Sequence, residues 1–223
     1  MSTVLSVLTL PCLCAQIVAF QHGISAALHH HFLLWRRKEL PAIVYFVPRT
    51  DPKSFLHHLV AAASPTALEL VAEAIRWKPQ WLTGLAIDVA AAHGQVEALL
   101  LLQQYPSLVC SHRAMDSAAA NGHLRAVRFL HQFRSEGCTV SAMDDAAAHG
   151  HLHIVNFLHQ HRSEGCTTAA VDRAAAAGHL RVVQFLLRHR SEGCTPQAME
   201  GAAAHGHWHV VAYLQQTLYY VSR

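Results

Sequence analysis

A pattern that recurs every 28 residues constrains the fold of this 223-residue chain more than any other feature. The interval is set by five glycines: Gly94, Gly122, Gly150, Gly178 and Gly206. Each comes two residues after a run of three alanines, and the segment Arg-Ser-Glu-Gly-Cys-Thr occurs three times at the same interval. Fixed periods of this size indicate stacked structural units. The sequence therefore predicts a linear array in which each unit packs mainly on its neighbours.

Each unit is predicted to contain two short helices. Thr139 is placed to cap the first helix, and Gly150 can adopt the left-handed conformation that closes it. Gly165 is predicted to end the second helix. The apolar residues of this second helix are Leu152, Val155 and Leu158, widened by Ile154 and Phe157. Small alanines on the first helix let neighbouring backbones approach closely, while the larger side chains fill the space between layers.

These residues resemble the ankyrin repeat. The matching motif, Ala-Ala-x-x-Gly-His followed by Leu-x-Val-Val-x-x-Leu, comprises Ala174, Ala175, Gly178, His179, Leu180, Val182, Val183 and Leu186. The resemblance implies an all-α fold, a solenoid of helical hairpins whose first helices line a concave surface used for partners. The usual repeat has about 33 residues, so we expect the projecting β-turn of the family to be shortened here into the Ser-Glu-Gly-Cys turn.

The resemblance also predicts the domain organisation. Residues 1–53 form a divergent helical segment that caps the array, since terminal units otherwise expose an apolar face. Residues 54–223 form the array itself, which begins with a degenerate unit, residues 54–81, where Pro65 replaces the glycine. The later units are residues 82–109, 110–137, 138–165, 166–193 and 194–223.

The N-terminal sequence has three possible interpretations besides a cap: a signal sequence, a membrane span and an F-box-like module. Residues 2–20 form a long apolar run, but no positive charge precedes Val4, as a secretory signal would require. Polar residues and Pro11 interrupt the run, which argues against a membrane span. Leu10, Pro11, Ile17 and Phe20 resemble the opening of an F-box, a module that docks substrate receptors onto a ubiquitin ligase adaptor. A soluble capping element is preferred, and the signal sequence and the F-box-like module remain alternatives.

Equivalent positions of the units separate constant residues from variable ones. On each first helix the alanines stay constant, whereas three positions spaced by four residues vary, and this spacing puts them on one helical face. We predict that this face binds a protein partner and call it the recognition stripe. Its members are Arg113, Ser117, Asn121, Ser141, Asp145, His149, Arg173, Gln197 and His205. The alternative is solvent exposure without a binding role, because surface substitutions are usually nearly neutral.

A second set of residues is predicted to be structural. It consists of Gly122, His123, Gly150, His151, Gly178, His179, Gly206 and His207. In the family that these motifs resemble, the histidine after the glycine bonds to backbone and ties neighbouring turns together. If these histidines are neutral in the fold, acidification should weaken the stack.

Histidine and cysteine also raise the possibility of metal binding. The candidate sets are His149, His151 and His153, or His159 and His161 with Cys166. Neither set has the ligand spacing typical of zinc sites. Two histidines separated by one residue on a helix would also point in different directions. We therefore expect no metal and no other cofactor.

The four cysteines of the repeat are predicted to remain thiols. They are Cys110, Cys138, Cys166 and Cys194. Equivalent atoms of stacked helices lie about 8–10 Å apart, whereas a disulfide needs Cα atoms within about 7 Å. Free thiols favour a reducing, intracellular location, and the cytoplasm in particular.

The composition narrows the function further. The net charge is +3, and the only lysines, Lys38, Lys53 and Lys78, are scattered. A nucleic-acid surface would need basic residues concentrated on one face. No catalytic motif is present. The sequence thus predicts a non-enzymatic protein-interaction scaffold, and the alternatives are a ubiquitin-ligase substrate receptor or, less favoured, a histidine and cysteine metal binder.

Overall fold

A computed structural model describes residues 25–36, 53–62 and 65–221, and these residues form helices joined by short turns. The helices are α1 (Ala26–Arg36), α2 (Lys53–Ala62), α3 (Pro65–Trp77), α4 (Leu85–Ala92), α5 (Val96–Leu102), α6 (Arg113–Ala120), α7 (Leu124–Phe133), α8 (Val140–Ala148), α9 (Leu152–His161), α10 (Thr168–Ala176), α11 (Leu180–His189), α12 (Pro196–Ala204) and α13 (Trp208–Val221). A 3₁₀ turn, Pro79–Trp81, follows α3. No strand occurs in these ranges, so the predicted all-α fold of helical hairpins is confirmed.

The described residues fall into two compact units. Unit 1 contains those up to Ala90 together with Glu97–Leu108, and unit 2 contains Ala91–Val96 and those from Val109 onward. The proposed division between residues 53 and 54 remains a prediction. Leu10, Pro11, Ile17 and Phe20, on which the F-box alternative depends, lie outside the described residues.

An aromatic cluster forms part of the core of unit 1. Phe32 of α1 stacks on Trp35 and on Trp81, with ring centroids 5.8 and 5.9 Å apart. Phe55 of α2 meets the Phe32 ring edge-on at 5.1 Å. Trp35 and Phe55 are almost completely buried. Large aromatic rings bury much apolar area per residue, so this cluster joins α1 to the helix pair α2 and α3 that the sequence assigned to a degenerate repeat.

Unit 2 consists of repeated helical hairpins, and the first helices α8, α10 and α12 have a side-chain cap, whereas α6 has none. The Thr139 hydroxyl accepts a hydrogen bond from the backbone N–H of Ser141 at 3.2 Å, and Thr167 and Thr195 cap the next two first helices in the same way. Ala146 and Ala147 of α8 are fully buried. The N-cap and the alanine core were both predicted from the repeat and are confirmed.

Each first helix closes in the same glycine turn. After α8, the backbone N–H of Gly150 donates to Ala147 at 3.0 Å and that of His151 donates to Ala146 at 2.9 Å. This pair of bonds is the Schellman arrangement, which requires a left-handed residue after the helix. Gly150 supplies it with φ of +76°, as the sequence predicted.

The end of the second helix differs from the prediction. Helix α9 ends at His161, four residues before Gly165. Arg162 is already extended, and its N–H makes the last helical bond, to Leu158 at 2.9 Å. The Arg162 side chain then pairs with Glu164, which fixes the turn. Gly165 occupies a left-handed position within this turn and does not end the helix.

Neighbouring repeats are joined by a buried aspartate. Asp144 of α8 accepts two hydrogen bonds from Thr167, one from the backbone N–H at 2.8 Å and one from the hydroxyl at 2.6 Å. Asp116 binds Thr139 in the same way, and Asp172 binds Thr195. The threonine therefore caps its own helix and donates to the preceding repeat at the same time. Hydrogen bonds to a charged acceptor are stronger than neutral ones.

A second contact between repeats places a histidine ring against a glycine. The His179 ring lies so close to Gly150 that a Cβ atom at that glycine would come within 2.7 Å of it. His123, His151 and His207 approach Gly94, Gly122 and Gly178 in the same manner. Glycine is therefore required at these positions for two reasons. The backbone is left-handed there, and the histidine ring leaves no space for a Cβ atom.

We expect Gly150→Ala to destabilise the protein more than Gly206→Ala. Both glycines have φ of +76°, but a Cβ at Gly206 meets nothing within 4 Å. The Gly206 variant should lose about 1–2 kcal/mol from backbone strain, and the Gly150 variant about 1–3 kcal/mol more from overpacking. Urea denaturation measures both. Equal losses would contradict the proposed role of the histidine contact.

Asp144→Ala should also be costly, because it leaves two donors of Thr167 unpaired in a part-buried site. We expect a loss of about 2 kcal/mol or more in the free energy of unfolding. Asp145→Ala is the matched control, since this neighbour lies on the same helix and makes only a partly exposed salt bridge, worth at most about 1 kcal/mol. Similar losses for the two variants would show that the link between repeats contributes little.

Candidate functional site: the recognition stripe

The stripe residues lie on the first helices of unit 2 or at their C-caps. Arg113 and Ser117 are on α6, Ser141 and Asp145 on α8, Arg173 on α10 and Gln197 on α12. Asn121, His149 and His205 are the C-cap residues of α6, α8 and α12. All nine are exposed or half-exposed, whereas the alanines beside them are largely buried. The structure thus places these nine residues at the surface of the first-helix side.

Two stripe residues bind each other across adjacent repeats. Arg173 Nη1 donates to Asp145 Oδ1 at 2.7 Å. The side chains remain 50% and 32% exposed, so the pair is solvated and contributes little to stability. The pair instead affects the surface potential. Its two opposite charges are 28 positions apart in the sequence but lie next to each other in the structure. The sequence analysis missed this pairing, although the 28-residue offset between the two positions could have indicated it.

Three other stripe residues are held by the backbone. The ring of His149 bonds through Nδ1 to the Asp145 carbonyl at 2.8 Å, and His205 bonds to the Gly201 carbonyl at the same distance. A carbonyl can only accept, so Nδ1 carries the proton and a neutral ring presents Nε2 as an acceptor. Asn121 donates its amide to the Ala92 carbonyl at 2.8 Å, which links it to the preceding turn.

The histidines that follow the glycines lie between repeats. Burial lowers the pKa of His151, and the neighbouring His149 and His153 lower it further, while a bond to the Ala120 backbone opposes the change. His93 instead precedes its glycine, and burial together with the charge of His123 lowers its pKa. Both effects favour the neutral ring in the folded state.

The candidate metal sets are arranged differently from the prediction. His149 and His151 do not share a helix, because they flank the turn at Gly150, and their rings are nearly parallel with centroids 6.2 Å apart. The expectation that they point in different directions was therefore wrong. His159 packs on Phe185, whereas His161 packs on Phe157 of its own helix. Over the described ranges, no group of three or more histidine, cysteine or acidic side chains is arranged to hold a metal ion.

The repeat cysteines are free thiols, as predicted. Burial raises the pKa of Cys138 and of Cys166 to about 11, with Glu164 and Glu192 adding to the effect. Thiolate is the form that attacks electrophiles and binds metals. At neutral pH these two side chains are therefore protonated and pack as small apolar groups.

Charged residues of the turns stabilise the turns themselves. Arg190 pairs with Glu192 and holds the pKa of that carboxyl at about 2. Arg162 lowers the pKa of Glu164 in the same way. Glu136 accepts from the Cys110 backbone N–H at 3.0 Å, which joins its turn to the preceding one. These charged side chains therefore bind other groups of the same protein. The repetition of the Arg-Ser-Glu-Gly-Cys-Thr segment could have indicated this structural role.

Unit 2 is thus a helical repeat structure with constant buried links and a variable exposed row of side chains. Residues 115–159 and 143–187 match the family model of ankyrin repeats, which occur in many copies. This part of the chain therefore consists of ankyrin repeats, as its motifs predicted. A search of curated proteins finds no significant match. Ankyrin repeats are in general protein-interaction domains and are typically not catalytic.

Among residues 25–36, 53–62 and 65–221, no helix is both long enough and apolar enough to cross a bilayer.

Acidification should destabilise the protein through His151. Because its folded-state pKa is lowered, the unfolded chain binds more protons below about pH 6.5, and stability falls as the pH decreases through that range. Glu164 and Glu192 do not contribute between pH 7.5 and 5.5, since their lowered pKa values keep them charged there. The melting temperature should decrease over this interval, and the decrease should be smaller in His151→Gln. Identical pH profiles for the two proteins would rule out this role.

Proposed function

We propose that unit 2 is a non-catalytic scaffold that binds a protein partner through the recognition stripe. The main support is the contrast between positions within one chain. Residues that join repeats stay the same, such as Asp116, Asp144 and Asp172. Exposed positions on the same helices change from one repeat to the next. A surface that differs along its length can distinguish one partner from another.

The packing of the helices supports a concave binding face. First helices of adjacent repeats lie closer together than second helices do. The buried alanines explain this, because small side chains let helix axes approach, whereas second helices are separated by leucine, valine and phenylalanine. A stack that is shorter on one side curves toward that side. The stripe would then line the inner surface, where several residues can contact one ligand.

The scaffold also reduces the entropic cost of binding. The first helices α8, α10 and α12 are each capped, tied to the preceding repeat by Asp–Thr bonds and closed by a glycine turn. A surface fixed in advance loses little conformational entropy when a partner docks. The polar character of the stripe indicates a partner recognised by hydrogen bonds and modest charge contacts rather than by a large apolar surface.

The test uses the Asp145–Arg173 pair. Asp145→Arg alone places two cations together and should abolish partner capture in proximity labelling. The double variant Asp145→Arg with Arg173→Asp restores the ion pair with reversed polarity, so it should melt like the wild type and still lose the partner. Glu200→Arg, at an exposed position of α12 outside the stripe, makes the same change in net charge as Asp145→Arg and should leave partner capture unchanged. Retention of the same partners by the double variant would contradict stripe recognition.

The ligase alternative concerns residues 1–53. Co-purification with a ubiquitin-ligase adaptor that is abolished by Leu10→Ala with Pro11→Ala would establish a substrate receptor, with the stripe selecting the substrate. Four free thiols in the repeats support an intracellular, cytoplasmic location for either function.

A further inference from the structure

The second helices of unit 2 carry charge of only one sign. Helices α7, α9, α11 and α13 contain no aspartate or glutamate. They carry four arginines, Arg125, Arg128, Arg181 and Arg188, and several histidines. The acidic residues from position 109 onward lie on the first helices or in the turns. The second-helix side of unit 2 is therefore cationic.

One position of this side forms a regular row. Arg125, His153, Arg181 and His209 occupy equivalent positions 28 residues apart, and all four are exposed. Among the described residues, neither Arg125 nor Arg181 is in salt-bridge distance of a carboxylate, unlike Arg162, Arg173 and Arg190. His209 contacts the Gly178 carbonyl, and its Nε2 lies 3.4 Å from the carbonyl oxygen. We call these four residues the basic row.

Grooves accompany the basic row. One of about 580 Å³ is lined by His153, Arg181 and His209 together with Leu152 and Leu180. Another of about 400 Å³ lies between α7 and α9, and is lined by His153, Arg128 and Phe157. Arg128 lies over the Phe157 ring, with its Cζ 5.7 Å from the centroid. His153 lines both grooves, so the two depressions adjoin along the row.

The distance between successive members of the basic row determines which ligand can contact all of them. Adjacent helices are separated by about 8–10 Å, and an extended peptide advances about 3.3 Å per residue. One basic side chain per repeat, alternately arginine and histidine, therefore matches one carboxylate at every third peptide residue. The apolar floor at Leu152, Leu180 and Phe157 suits the residues between.

The same features favour a peptide over a nucleic acid. No lysine occurs in unit 2, and Phe157, the phenylalanine that lines the grooves, is half-buried. The exposed rings of Phe133 and Trp208 line neither groove. Single-stranded nucleic acid is usually bound by exposed aromatic rings in a dense basic groove. Alternate members of the row are histidine, which leaves two full cations in four repeats.

We propose that the basic row is a second docking surface, which binds an acidic segment of a protein in extended conformation with a carboxylate at every third residue. None of its four residues belongs to the recognition stripe, so the protein can use the two sets of residues for two different partners. Attraction between unpaired surface charges steers such a segment to the grooves.

The test measures fluorescence anisotropy of a labelled twelve-residue peptide, Glu-Ser-Gly repeated four times, with the full chain at low salt. Arg125→Glu with Arg181→Glu should weaken binding about tenfold or more, and the milder Arg125→Gln with Arg181→Gln should weaken it less. Arg113→Glu, on the recognition stripe, is the matched charge reversal and should leave peptide affinity within about twofold. Circular dichroism checks that each variant is folded.

Two further ligands provide results that would overturn the proposal. A peptide of the same composition with its four glutamates in one block should bind more weakly, and oligothymidine of twelve nucleotides should compete poorly. Absence of binding, equal binding of the block peptide, stronger binding of oligothymidine, or an equal loss in Arg113→Glu would each overturn the proposal. Because Arg113→Glu perturbs only the stripe, a failure of stripe recognition leaves this result unaffected.

Discussion

The hydrogen bonds from each capping threonine to the aspartate of the preceding repeat set the geometry of unit 2. Thr167 starts its own helix and, through two bonds to Asp144, fixes where that helix begins relative to the one before it. The histidine that packs on the preceding glycine fixes the other end, as His179 does on Gly150. Since both ends of each first helix are positioned by the same residue types, every repeat adopts nearly the same relation to its neighbour.

This arrangement frees two sides of unit 2 for other uses. Buried links occupy the interior, so the exposed residues of the first and second helices carry no requirement for packing. The first-helix side combines a solvated ion pair, Asp145 with Arg173, and neutral polar groups. The second-helix side carries arginines such as Arg125 and Arg181, which have no carboxylate partner among the residues described. The two sides therefore differ in the chemistry of the partner that each suits.

Local rules predicted the helices of unit 2 well, because capping threonines and left-handed glycines act within a few residues. Thr139 and Gly150 behave as their sequence context required. The end of α9 was placed wrongly because the Arg162–Glu164 pair that shapes the turn was not recognised. The pairing of Asp145 with Arg173 depends on how repeats register in space, and the stacking of His149 on His151 depends on the turn at Gly150 between them. Helical periodicity alone carries no information about such contacts.

Every polar link described in unit 2 reaches only the adjacent repeat, and this bears on how such a chain can lengthen. A duplicated 28-residue segment brings its own aspartate, threonine, glycine and histidine, so both new junctions form without any compensating change elsewhere. Suppose, for example, that a copy of residues 138–165 is inserted directly after Gly165. The copied Thr139 then occupies the position of Thr167 and can bond to Asp144. Gene duplication could thus extend the binding surfaces stepwise, while later substitutions at exposed sites gave each copy its own specificity.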